Sequence, residues 1–200
     1  MSSQRKKLKK LGFDIDGVLC DFNTEFWNRA NARFGLDVDP NAVPSYWYMD
    51  EVLGGKEKAG EFFAEEIAND LFQTCLPYPE GQIFVTNLLE DKSLDIKFIT
   101  ARSADHNILW DGELVRKVRN DTKEWLSLYF PTFDQKNLIY APQKDEVIYK
   151  EGIQLFVEDS LATADRLSGV CTSLLLNRSW NTGDTSAIRI NSIAEASFWL

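Results

Sequence analysis

Leu11-Gly-Phe-Asp-Ile-Asp-Gly-Val-Leu-Cys-Asp-Phe22 is the stretch that decides the fold. Leu11, Phe13 and Ile15 read as one face of a buried strand, with Asp14 and Asp16 on the other and Gly17 directly after. Carboxylates are rare in a hydrophobic strand unless something pairs with them. Residues i and i+2 of a strand point to the same side, so both acids converge on one spot. Like charges held that close raise each other's pKa unless a cation sits between them. The stretch therefore predicts a strand that ends on a divalent-metal site, and with it phosphate chemistry.

Working outward, the first strand covers residues 8–15, and Phe22, Phe26, Ala30 and Phe34 recur at helical spacing up to Gly35. Residues 36–77 differ from the rest: they hold Pro40, Pro44, the cluster Tyr46-Trp47-Tyr48 and Gly54-Gly55, then a helix predicted over 56–72. After Pro77 and Pro79, helix and strand alternate. Helices are predicted over 81–90, 112–129, 145–151 and 160–167, with strands over 95–100, 137–141, 153–157 and 170–176. The chain is predicted to end in a short strand piece and a helix over 188–200. Such alternation implies βαβ units and a Rossmann-like, doubly wound parallel sheet covered on both faces. Residues 1–22 and 78–200 would form this α/β core, and 23–77 a small helical cap inserted after the first strand.

Composition narrows the function. The 200 residues are 44% hydrophobic and 12% aromatic, ordinary for a globular domain with a sizeable core. A net charge of −9 disfavours long nucleic acids and anionic membranes, yet leaves room for a locally positive site that takes one small phosphorylated molecule. The basic run Arg5 to Lys10 reads as a solvated lead-in to the first strand, with neither a signal-peptide core nor a membrane-spanning run behind it. Cys20, Cys75 and Cys171 are far apart and lack metal spacing, as expected of reduced thiols in a cytoplasmic protein. His106, the single histidine, excludes mechanisms that need several imidazoles and reads as a surface residue.

In a doubly wound sheet, ligands bind beyond the carboxyl ends of the strands. Here those ends carry Asp14-Ile-Asp16, Thr100-Ala-Arg-Ser103 and Glu158-Asp159-Ser160, with Lys144 just after the third strand. The set suits phosphoryl transfer: a carboxylate nucleophile, oxygen ligands for a hard cation such as Mg²⁺, and a hydroxyl and an ammonium to neutralise the moving phosphoryl group. Each part also has a plain structural reading. Thr100 could simply end a strand, Lys144 could be a surface lysine, and Ser160 could be no more than a helix N-cap.

The four segments together resemble the haloacid dehalogenase superfamily over nearly the whole chain. Its motifs match Asp14-Ile-Asp16-Gly-Val-Leu, Phe98-Ile-Thr100, Lys144 and Val157-Glu158-Asp159-Ser160. Within it the chain is most similar to the 5′(3′)-deoxyribonucleotidases, through Asp16-Gly-Val-Leu-Cys-Asp-Phe22, Tyr46-Trp47 and Pro77-Tyr-Pro-Glu-Gly81. The resemblance implies Asp14 as nucleophile and Asp16 as general acid, then base. It implies Mg²⁺ held by Asp14, the Asp16 carbonyl and the Glu158/Asp159 pair, and phosphate bound by Thr100, Ala101, Arg102 and Lys144. Phe22, Tyr46, Trp47 and Phe72 would enclose a nucleobase. Three departures stand out: Glu-Asp replaces the usual Asp-Asp, Ala-Arg follows Thr100 in place of a serine, and Lys144 is unusually far from the fourth motif, which makes Lys150 the alternative. The implied substrate is a nucleoside monophosphate; a homodimer is compatible with the sequence. The alternatives are a phosphatase of another small metabolite or nucleic-acid end, and a non-catalytic nucleotide-binding module.

Overall fold

A computed structural model of the protein describes residues 9–102 and 111–200; the readings placed on Arg5 to Leu8, Ser103 and His106 lie outside them. Six parallel strands form one sheet: β1 (Lys9–Phe13), β2 (Leu94–Thr100), β3 (Leu138–Tyr140), β4 (Leu155–Glu158), β5 (Thr172–Leu176) and β6 (Ile188–Ile190). Their spatial order is β3-β2-β1-β4-β5-β6. The chain thus builds outward from β1 to β3, returns, and builds outward again on the other side from β4.

Burial shows why these segments are strands. Leu11, Phe13, Phe98, Leu155, Val157, Leu174 and Leu176 share one hydrophobic core, while the alternate residues Ile99, Phe156 and Leu175 belong to smaller clusters. Both faces are covered, so the central stretches of the inner strands carry apolar residues on both sides. Helices α5 (Pro79–Leu89), α6 (Gly112–Tyr129), α7 (Lys144–Glu151) and α8 (Leu161–Leu167) connect the later strands. Proline opens α5, and the side chains of Asp111 and Ser160 cap α6 and α8 by accepting from first-turn N–H groups.

Between β1 and α5 lies an insert of four helices, α1 (Phe22–Phe34), α2 (Tyr48–Val52), α3 (Lys56–Ala68) and α4 (Leu71–Thr74). The chain enters and leaves it through a narrow neck, where Asp21 N donates to Leu76 O and Tyr78 N to Leu19 O, both at 2.8 Å. Two details differ from the sequence reading. The helix expected over 56–72 is two helices, because Asp70 adopts a left-handed conformation with φ 66°. The short helix α2 carries no strong periodic signal of its own and was not anticipated. The strand piece and helix expected at the end of the chain are β6 and a helix of the tighter 3₁₀ type, Ile193–Trp199.

Candidate active site

Strand order places the site. Neighbouring strands β1 and β4 lead away to opposite sides, so the connections leaving their carboxyl ends diverge and open a crevice there. Asp14 extends the ladder by one hydrogen bond, its N–H donating to Val157 O at 3.0 Å. Its carboxylate is thereby set beside those of Glu158 and Asp159. One oxygen from each of the three can lie within 4.8 Å of the others, and all three residues are buried.

Lys144, at the first turn of α7, projects into this group. Its Nζ lies 2.8 Å from Asp14 Oδ2 and 2.8 Å from Glu158 Oε2. Lys150, by contrast, is exposed on the last turn of the same helix. The other oxygen of Glu158 accepts from the backbone N–H groups of Asp159 and Ser160. Glu158 is therefore fully engaged. Asp159 is held differently: Oδ2 accepts from Trp180 Nε1 at 2.9 Å, and its backbone carbonyl accepts from Asn181 Nδ2 at 2.7 Å. Gly17 makes room for it, since a Cβ there would lie 2.1 Å from Asp159 Oδ2 and the residue has φ +72°. Arg178 ties the same loop down by donating from Nε to Gly17 O at 2.8 Å while lying 4.0 Å over the Tyr78 ring.

Electrostatically the group is short of positive charge. Burial, then the negative charge of Glu158, push the Asp14 carboxyl well above its ordinary range despite Lys144. Burial followed by Glu158 and Asp14 does the same to Asp159. Burial alone would lower Lys144, but Asp14 and Glu158 outweigh it and hold the ammonium charged. Glu158 goes the opposite way to its neighbour: burial opposes ionisation, and Lys144, helped by the Ser160 amide and the Asp159 side chain, overcomes it. Three buried carboxylates thus face one ammonium. A donor set made of carboxylate oxygens suits a hard divalent cation such as Mg²⁺.

Thr100 is buried at the end of β2, its Oγ1 accepting from Arg102 N at 3.1 Å, and Ala101 is exposed at the rim. Arg102 reaches Asp16 with two N–H groups, Nε to Oδ2 at 2.8 Å and Nη2 to Oδ1 at 2.5 Å. Of the aromatic residues singled out from the sequence, Tyr46 is the one whose phenol feels the charges of the acids. It is 54% exposed, so solvent reaches it, yet crowding and the charges of Asp159, Asp14, Glu158 and Asp16 raise its pKa. Trp47, 63% exposed, packs edge-on against Tyr46 at 5.1 Å. Phe22 and the buried Phe72 lie deeper and pack on one another, with centroids 6.0 Å apart.

Trp180, Asn181 and Arg178 were not among the residues singled out from the sequence. The one signal that pointed to them was position, because β5 also ends at this rim.

Comparison with known proteins adds to this geometry. Residues 8–199 match the family described as 5′ nucleotidase, deoxy (pyrimidine), cytosolic type C protein. A protein of Oceanobacillus iheyensis named "putative nucleotidase" is 26% identical over 190 residues, covering 92% of this chain and 94% of that protein. Two solved structures share the fold. A haloacid dehalogenase-like hydrolase of Streptococcus pneumoniae superposes with a TM-score of 0.59 at 11% identity, covering 97% of this chain and 99% of that one. A HAD family hydrolase of Deinococcus radiodurans, solved with bound phosphate and sodium, gives 0.59 at 14%, covering 96% of each chain. Nearly the whole chain being matched, this protein belongs to the cytosolic type C deoxy (pyrimidine) 5′-nucleotidase family, phosphate-ester hydrolases of the haloacid dehalogenase superfamily.

Proposed function

We propose that the protein is a Mg²⁺-dependent phosphomonoesterase that works through an aspartyl-phosphate on Asp14, with a deoxyribonucleoside monophosphate as substrate. The observation that carries this reading is the convergence of Asp14, Glu158 and Asp159 around Lys144 at the β1–β4 crevice. The cation would be held by Asp14, the main-chain carbonyl of Asp16 and the Glu158/Asp159 pair. When bound it supplies positive charge to offset both the carboxylates and the phosphate. Within the pair, Asp159 is the better direct ligand, since both oxygens of Glu158 already have partners.

An Asp14 oxygen attacks phosphorus, and the bond to the leaving oxygen breaks as Asp16 gives that oxygen its proton. Asp16, now ionised, takes a proton from water as the water attacks the phosphorus of the aspartyl-phosphate. That step releases inorganic phosphate and restores Asp14. Thr100, Ala101 and Lys144 bind phosphate oxygens, and Lys144 also neutralises charge as the phosphoryl group moves. Residues 23–77 act as the cap, with Tyr46 and Trp47 against the base and Phe22 and Phe72 behind them. The three cysteines are free, which fits a cytoplasmic location.

The test is phosphate release from a panel of nucleoside monophosphates and common metabolite esters, with Mg²⁺ and with EDTA. Mg²⁺-dependent release with preference for deoxynucleotides is expected, and Asp14→Asn should lower it at least about 1,000-fold, the scale of losing a nucleophile. Release from metabolite esters without a nucleotide preference would leave the chemistry and remove the substrate. Retained activity in D14N would remove the mechanism.

A further inference from the structure

Arg102 is the residue whose surroundings differ most from a phosphate ligand's. Its side chain is 1% exposed, so the guanidinium needs compensation inside the protein. Asp16 supplies it through two parallel charge-assisted hydrogen bonds, the geometry that fixes a carboxylate in both position and plane. The third nitrogen, Nη1, lies 3.4 Å from Thr122 Oγ1 on α6, so each nitrogen has a partner. The flat face of the group lies 4.2 Å from the centroid of Phe72, on α4 of the insert, and 5.9 Å from Trp125 on α6. To bind phosphate with this edge, Arg102 would have to let go of Asp16.

We propose that Arg102 is a positioning residue: it holds the Asp16 carboxylate in the orientation for proton transfer and, through its stack on Phe72, ties that orientation to the inserted helices. This rests on the reading of Asp16 as the acid and base of phosphomonoester hydrolysis. Asp16 is the more open partner, with a side chain 30% exposed, and it follows a strand end directly before Gly17. Without the guanidinium its torsions would be free to turn. A misplacement of about 1 Å of a catalytic group can cost about 100-fold in rate.

The experiment compares kcat/KM in Mg²⁺ for two esters. The alkoxide of a deoxynucleoside 5′-monophosphate must be protonated as it leaves, whereas p-nitrophenolate departs without a proton. Arg102→Gln should lose about 100-fold on the nucleotide and less than about fivefold on p-nitrophenyl phosphate. Inhibition by inorganic phosphate should stay within about twofold, because no phosphate contact is removed. Arg102→Lys should recover only part of the loss, as an ammonium cannot reproduce the fork. In an Asp16→Asn background, R102Q should add almost nothing, since two residues acting through one group are not additive.

Equal losses on both esters, or an additive double variant, would overturn the positioning role. Weakened phosphate inhibition would show Arg102 to be a direct phosphate ligand and overturn it likewise. If R102Q unfolds without cooperativity, R102K is read by the same criteria. An unmodified protein that hydrolyses neither ester would sink the reading of the site, and this inference with it. Turnover of both esters with equal losses in the variant sinks the inference alone.

Discussion

Glu158 and Asp159 are adjacent, buried and acidic, yet their surroundings pull them in opposite directions. Glu158 faces Lys144 and two backbone N–H groups, and is held ionised. Asp159 receives one indole N–H and the repulsion of two carboxylates, and ionises reluctantly. In metal-free protein the two amide substitutions should therefore differ in sign. Glu158→Gln removes a buried partner of Lys144 and should cost about 3–5 kcal/mol. Asp159→Asn relieves a crowded charge and should gain up to about 1 kcal/mol. Urea unfolding in EDTA measures both, and a loss in each would refute this account of the charge balance. The acids were legible in the sequence because a strand end fixes where its last side chains lie. Trp180 and Asn181, which hold Asp159, follow β5 in a segment with no periodic pattern. Their role depends on contacts across the fold, which spacing along the chain does not encode.

At the scale of elements, the break between α3 and α4 decides where Phe72 goes. Phe62, Phe63, Ile67, Leu71 and Phe72 continue a helical apolar pattern, so the sequence reads as one helix over residues 56–72. Both pieces bury their apolar residues, and periodicity alone passes over the turn between them. Local chemistry marks it: Asn69-Asp70 is a pair tolerant of left-handed backbone, and Asp70 takes that conformation. Arg29 then fixes the geometry, its guanidinium bonding Glu66 at the end of α3, the Asn69 carbonyl at the break and Thr74 on α4. Asp70→Ala and Asp70→Gly both delete the exposed pair with Lys117, but only alanine is strained at a positive φ. The alanine variant should be about 1 kcal/mol less stable than the glycine variant by chemical denaturation. Equal stabilities would mean that the break is set by packing rather than by the backbone at residue 70.

For the whole molecule, alternation of strands and helices announced a parallel sheet, but not that β1 and β4 would be neighbours. That pairing joins segments more than 140 residues apart, Leu11 opposite Leu155, and it assembles the acidic site. Its consequence is a cluster of buried carboxylates whose charge a bound cation would offset. Burial raises the folded-state pKa of Asp14 and Asp159, so between the ordinary carboxylate range and those raised values the folded protein binds more protons than the unfolded chain. Stability of the metal-free protein should accordingly fall as pH rises through that window. The depressed pKa of Glu158 acts the other way, but its contribution is lost only on the acid side, as pH falls through its folded value. On the proposed reading, Mg²⁺ would bind the ionised carboxylates of the folded state. It should therefore stabilise by about 2.7 kcal/mol at a hundred times its Kd, or about 5–10 °C in Tm for a chain of this size. Because protons compete for the same oxygens, the Mg²⁺ increment should grow with pH. Thermal melts in EDTA and in Mg²⁺ across a pH series measure both slopes. Asp14→Asn should flatten the EDTA series and shrink the Mg²⁺ increment. An increment independent of pH and unchanged in D14N would mean that the cation acts elsewhere on this strongly acidic protein.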